Sequence, residues 1–267
     1  MKILVKILLI VLWTATASGI VLLMSFSNVQ HNLKPVHSIT CSVDFQGKQP
    51  LFSERDVLAE INQKFGKMTT KSIGDMDVEA ISKLIQKNPY LESSNVKLTV
   101  DGSIQITAKQ NIPIIRYISA TGNQVYISET GFIMPVNLSF PYKTIIATGK
   151  PEIMIPIGKC IISIIGEKTT GLNQITKSLI ELHYLAKIIA HDTVLNALIE
   201  QVSLNDQNKY LLATKAGSHE IFLGDTTFAA EKLNNLKYFY KYGLVKTGWK
   251  KYNRLNLEYR NQIVCTK

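Results

Sequence analysis

From Ile7 to Gln30 the chain carries no charged side chain. Those 24 positions make a helix about 36 Å long at about 1.5 Å per residue, and a bilayer core of about 30 Å needs about 20. No other feature narrows the possible folds as much, because an apolar run of this length must be buried in lipid or removed. Ala15-Thr16-Ala17 has the look of a signal-peptide cleavage site. Cutting there would leave "SGIVLLMSF" as a new apolar N-terminus, so the run reads as a retained anchor. Lys2 and Lys6 precede it and Lys34 follows. The positive-inside bias keeps the short lysine-bearing tail in the cytoplasm and sends everything after about residue 34 to the other side, which in a bacterium is the periplasm.

The formal net charge of +10 favours polyanionic or acidic partners. With the bulk outside the cytoplasm, nucleic acid drops out, and lipid surfaces or acidic protein segments remain. At 46% hydrophobic and 19% charged, the chain can build a core and is not globally disordered. Cys41, Cys160 and Cys265 are odd in number and widely spaced, with no C-x-x-C; they read as small buried hydrophobes. The five histidines form no H-E-x-x-H, and His183 and His191 are too far apart for one helical metal site. No metal or cofactor is implied.

Beyond the apolar run, Ile39, Cys41, Val43 and Phe45 alternate as in a strand. Ser53 with Asp56 suggests a capped helix bearing Val57, Leu58, Ile61 and Phe65 on one side, stopped at Gly66. Asp77 suggests the cap of a second helix with Val78, Ile81, Leu84 and Ile85 inward, ended by Asn88-Pro89. Val96, Leu98 and Val100 alternate, then Asp101-Gly102, then Ile104 and Ile106, which is the signal of a β-hairpin. The order is β-α-α-β-β.

After Pro113 the texture becomes short strands with Gly turns: "IIRYIS", "QVYIS", "GFIMPV" and "KTIIATG". Regular turn signals of this kind predict a meandering β structure. Leu172, Ile175, Leu179, Leu182, Ala186 and Ile189 predict a helix packed on a sheet rather than a coiled coil, since the seam lasts under three heptads. Strands are predicted near 198–204, 209–214 and 219–223, then a helix over 227–242 with Ala229, Leu233, Leu236 and Tyr240 inward. Leu255, Leu257, Tyr259, Ile263 and Cys265 predict one long terminal strand, broken in pattern at Asn261 and Val264. Overall the fold class is α+β: a transmembrane helix, a β-α-α-β-β module, and a β-rich domain with two packed helices.

One enzymatic pattern demands a test. Ser94 and Lys97 form S-x-x-K, Ser203 and Asn205 form S-x-N, and Lys246-Thr247-Gly248 is K-T-G, the three elements of penicillin-recognising enzymes in order. That chemistry needs the serine at the start of a buried helix with the lysine one turn on. In a strand an odd offset puts positions 94 and 97 on opposite faces. The hairpin reading therefore displaces the catalytic one, and the chain reads as a non-enzyme.

The stretches "NPYLESSNVKLTVDGSIQITAKQNIPIIRYI" (88–118), "GNQVYISETGFIMPV" (122–136) and "GWKKYNRLNLEYRNQIVCTK" (248–267), in this order behind a basic tail and one span, resemble the bacterial cell-division family FtsQ/DivIB. The resemblance implies a cytoplasmic tail and span over 1–33, a POTRA-like domain over 34–112 and an FtsQ-type β-domain over 113–267. It implies a divisome scaffold of the inner membrane at the division septum. Such a scaffold recruits FtsB-like and FtsL-like single-span coiled-coil proteins and links them to septal peptidoglycan synthesis. It also implies that the terminal part of the β-domain holds the partner at a sheet edge, which on this chain means Tyr252, Arg254, Asn256, Glu258 and Arg260. An edge strand presents unpaired N–H and C=O groups that a partner strand can satisfy, and Lys250, Lys251, Arg254 and Arg260 would suit an acidic one. Two other readings stand beside this: an edge capped by its own loops, and Trp249 as a core aromatic. A POTRA-bearing assembly or secretion component is the alternative function, but the region after residue 112 has too few amphipathic strands for a barrel.

Overall fold

The apolar run folds as helix α1 (Lys2–Asn32) in the computed structural model, which describes residues 2–149, 157–161 and 173–267, apart from the side chains of 2–10, 26–31 and 173–176. Among the described residues no helix is long and apolar enough to cross a membrane. The expected span, 7–30, extends at both ends beyond the side chains described, which cover 11–25. The described chain is mixed α+β and divides into two compact units.

The first unit holds Met1–Asp44, Ser53–Gln86 and Ser93–Ala108. Its order is β1 (Ile39–Asp44), α2 (Glu54–Phe65), α3 (Val78–Gln86), β2 (Leu91–Leu98) and β3 (Ile104–Gln110), with β2 and β3 belonging to it over 93–98 and 104–108. The three strands lie in the order β1-β3-β2. Ser53 caps α2 by accepting from the Asp56 N–H, while Asp56 accepts from the Ser53 N–H (2.8 Å), the reciprocal box that the sequence suggests. Asp77 accepts from Ala80 N–H (2.8 Å) at the head of α3. Val57, Ile61, Ile81, Leu84 and Ile85 turn inward with Val43, Ile104 and Ile106. The Asp101-Gly102 hairpin is present: Thr99 N–H donates to Ser103 O (2.9 Å), and Gly102 has a φ of 84°. A Cβ on Gly102 would stand 2.8 Å from Ile73 Cδ1, so close packing and positive φ both require glycine there.

The second unit holds Phe45–Phe52, Lys87–Glu92 and Lys109–Lys267. Its strands are β4 (Pro113–Ile118), β5 (Gln124–Ser128), β6 (Ile133–Pro135), β7 (Ile145–Gly149), β8 (Ile199–Leu204), β9 (Tyr210–Thr214), β10 (Glu220–Gly224), β11 (Arg254–Asn256) and β12 (Val264–Thr266). They form one sheet in the order β12-β11-β10-β9-β8-β7-β4-β5-β6. The expected meander holds within β4-β5-β6 and β8-β9-β10, which pair antiparallel in sequence order, and is corrected where these runs join. The pairs β4–β7, β7–β8 and β10–β11 are parallel. Parallel neighbours cannot be joined by tight turns and need a crossover. Helices α4 (Asn173–His191) and α5 (Thr193–Leu198) lie between β7 and β8, and α6 (Ala229–Tyr238), a π-turn over Phe239–Gly243 and α7 (Leu244–Thr247) lie between β10 and β11.

Leu179, Leu182, Ala186 and Ile189 of α4 are buried in the same core cluster as Ile115, Ile145 and Val202 of the sheet, so α4 packs on the sheet. Leu172 and the side chain of Ile175, the first two positions of that periodic set, lie outside what is described. All four inward positions of the next helix, Ala229, Leu233, Leu236 and Tyr240, join the core. Buried amides pin the N-terminal pieces of this unit. Gln110 Oε1 accepts from Leu51 N–H (2.7 Å), and its Nε2 donates to Gln49 O (3.0 Å). Asn111 Nδ2 donates to Leu91 O (3.1 Å) and Pro89 O (3.2 Å).

Candidate functional site

Single long-strand geometry fails at the chain's end. Residues 254–266 form two short strands, β11 and β12, paired antiparallel with Arg254 opposite Thr266 and Asn256 opposite Val264. Asn261, with a φ of 60°, lies in the turn between them. Asparagine tolerates this left-handed conformation better than most residues. The two pattern breaks in the sequence, Asn261 and Val264, were therefore the signs of a turn and of a second, outward-facing strand.

This changes which backbone is open. β11 is paired on both sides, parallel to β10 and antiparallel to β12. Its main chain cannot receive a partner strand. Among the described residues β12 ends the sheet, and Val264 and Thr266 are exposed. The edge expected at Tyr252–Arg260 is thus moved outward by one strand, because the turn folds the last residues back over it.

The five predicted side chains lie together at this end of the sheet, and each is already engaged. Arg254 stacks over the Phe222 ring (4.7 Å) and approaches Glu220 (3.6 Å). Asn256 Oδ1 accepts from Glu258 N–H (2.8 Å), which shapes the start of the turn. Glu258 accepts from Lys209 Nζ (2.9 Å), and this hydrogen bond holds the Lys209 ammonium above its ordinary pKa. Arg260 covers the Phe228 ring (4.3 Å) and lies 3.4 Å from Glu231. Tyr252 is half-buried against Phe239, with ring centroids 6.3 Å apart.

Glu258 and Arg260 also line a cavity of about 220 Å³ with Asp225, Phe228, Glu231 and Lys232. Lys232 is buried, yet its ammonium is satisfied by Leu223 O (3.2 Å), Asp225 O (3.0 Å) and Asp225 Oδ1 (3.2 Å). Burial would raise the Asp225 pKa, but the hydrogen bond and charge of Lys232 outweigh it and hold the carboxyl below the usual range. Sequence reasoning missed Phe228, Lys209 and Glu231, which hold the predicted residues in place; nothing in their local pattern marks contacts made across the sheet. Trp249 is 41% exposed and meets Tyr240 edge-on at 5.6 Å, so it is a surface aromatic resting on the core.

The S-x-x-K pair lies within strand β2, not at a helix start. Ser94 Oγ is buried with no hydrogen-bond partner among the described residues. Lys246 and Thr247 belong to the short helix α7, and Ser203 to strand β8. Among the described residues no group of three His, Cys, Asp or Glu side chains could hold a metal ion. The thiols of Cys41, Cys160 and Cys265 form no disulfide among the described residues, and burial, aided by the charge of Glu54, pushes the Cys41 thiol up to about 11.

Comparison with known families supplies one match. The family model described as FtsQ/DivIB, C-terminal related, matches residues 112–266. That range takes in the whole nine-stranded sheet, including both terminal strands. Among curated proteins, none matches the chain.

Proposed function

Because this chain belongs to the FtsQ/DivIB family of cell-division proteins, we propose that it is a non-enzymatic divisome scaffold that captures FtsB-like and FtsL-like single-span partners by strand addition at its sheet edge. The observation that carries this reading is the position of β12. It ends a nine-stranded sheet with its outer main chain open among the described residues. A partner strand laid there gains main-chain hydrogen bonds, while outward side chains set specificity. Val264 and Thr266 on β12, with Asn256 and Arg254 beside them on β11, form the contact strip in this reading. Glu258, Arg260 and Tyr252 frame it. Lys250, Lys251 and Lys267 are exposed nearby, which suits an acidic partner segment.

The anchor belongs to the same reading. Helix α1 exposes Val11, Leu12, Trp13, Ile20, Val21, Leu22, Leu23 and Met24 around its circumference. Three of its hydroxyls bond within the helix: Thr14 to Val11 O (2.9 Å), Thr16 to Trp13 O (2.9 Å) and Ser18 to Ala15 O (3.0 Å). Over 11–25 an apolar circumference, with these three hydroxyls satisfied internally, suits lipid. In this arrangement residues 1–33 are tail and span, 34–112 a POTRA-like domain that helps place the protein at the septum, and 113–267 the β-domain. The bulk lies in the periplasm of a bacterium.

In-cell photo-crosslinking tests the edge. Probes at Val264, Asn256 and Glu258 should each give an adduct with a small single-span coiled-coil protein, strongest at Val264. Absence of adducts at all three positions, in cells where the chain is present and inserted, would overturn strand addition at this edge.

A further inference from the structure

His219 stands at the foot of β10, two residues before Ile221, and is 3% exposed. Its ring lies against the loop that precedes it: a Cβ on Gly217, whose φ is 87°, would fall 2.4 Å from His219 Cε1. One ring nitrogen, Nε2, hydrogen-bonds the Tyr240 hydroxyl. The other, Nδ1, is buried with no partner among the described residues.

The direction of the hydrogen bonds follows from the neighbours. The Thr214 hydroxyl donates to Ala216 O (2.9 Å), so its oxygen is left to accept from Tyr240 (3.1 Å). The Tyr240 proton has Thr214 Oγ1 and Ala216 O (3.5 Å) to go to, whereas a proton on Nδ1 would have no acceptor, so Nε2 carries the proton of the neutral ring and donates it to the Tyr240 oxygen. Nδ1 is then a bare lone pair, buried beside the Gly217 turn. A proton added there would make a buried imidazolium with an N–H that has no acceptor, which a folded site resists strongly.

Tyr240 lies in the π-turn Phe239–Gly243, and single π-turns inside helices are unusual places that often serve a function. The ring of Trp249 rests edge-on against Tyr240, and that of Tyr252 against Phe239. Next to the histidine, Glu220 N–H donates to Asn253 O (2.9 Å). The group that holds His219 neutral is therefore the same segment, 239–253, that leads into β11.

The geometry points to a proton-triggered release, in which protonation of His219 at Nδ1 is accommodated by segment 239–253 lifting from the sheet, loosening the β11–β12 hairpin it supports. Burial holds the imidazole below its ordinary value, in keeping with this arrangement. Tyr240 is the titratable group in contact with the ring, and burial raises its own pKa, so it stays neutral. Around it, Lys215 and Lys241 are exposed, the latter over the Tyr242 ring, and exposed Glu220 is directed to Arg254. The device stands whether or not the edge is where a partner binds.

The sign is fixed by linkage. The folded pKa lies below the unfolded one, so closure is fully favoured above about pH 6.5 and is lost as pH falls below that value. Hydrogen exchange of the full chain in lipid nanodiscs at pH 7.5 and pH 5.5, corrected for intrinsic rates, reads the opening of 239–266. For one proton taken up by an ordinary imidazole, opening should rise about tenfold between the two. His219→Gln should flatten that dependence. An unchanged wild-type opening, or the same tenfold rise in His219→Gln, would overturn the device. Ring titration by NMR tests it without substitution. His219 should remain neutral while the amides of 239–253 are protected. Titration near pH 6.5 with those amides still protected would also overturn it.

Discussion

Gln110 shows how much a single side chain can carry. Fully buried, it accepts from Leu51 N–H and donates to Gln49 O, while its own carbonyl accepts from Gln46 Nε2 (2.9 Å). The single stretch 46–51 is thus tied to residue 110 by its side-chain amide and its main-chain carbonyl together. Gln110→Ala would leave the Leu51 N–H buried without an acceptor, a loss of about 1–3 kcal/mol. Urea unfolding of the second unit should show the midpoint falling with an unchanged slope. Nothing in the sequence marks this residue. A glutamine after a strand reads as a polar surface position, and its partners lie about 60 residues away along the chain. Asp77 and Ser53 were legible for the opposite reason, since a helix cap bonds an amide two or three residues on and leaves its trace in local order.

At the scale of the element, the hairpin after β2 tests the balance between local and tertiary demands. Asp101-Gly102 predicts the turn, and the Thr99–Ser103 hydrogen bonds realise it. What the dipeptide cannot reveal is Ile73 pressed against the glycine from a distant loop. Gly102→Ala should therefore cost more than the strain of the left-handed conformation alone, about 1–2 kcal/mol, because Ile73 must also move. Comparison with Gly122→Ala separates the two: Gly122 has a φ of 87° and nothing within 4 Å of an added Cβ. Thermal melts should place Gly102→Ala below Gly122→Ala; the reverse order would show that Ile73 yields freely. The terminal strands carry the same lesson. Hydrophobic alternation from Leu255 to Cys265 predicts one strand, since period-2 patterning continues through a tight turn. The break at Asn261 was visible, but its meaning depended on the chain doubling back.

For the whole molecule, the expectation to test first is the anchor. Full-length chain should stay with membranes after alkaline carbonate extraction. Replacing Leu12 and Val21 by arginine, each costing about 2.5–3.5 kcal/mol at a helix centre, should move it to the soluble fraction. Retention of the double variant would show that the membrane association comes from elsewhere. The elements that sequence alone determined are those whose signal is local: the apolar run, the capped helices α2 and α3, the Asp-Gly hairpin, the short strands after Pro113 and the inward stripe of α6. Each follows from periodicity or from a hydrogen bond made within a few residues. Tertiary structure alone decided the parallel joins of the nine-stranded sheet, the paired state of β11, the open edge at β12 and the enclosure of His219 under Tyr240. These depend on which segments meet across long separations, and burial and main-chain pairing settle that only when the whole sheet is assembled.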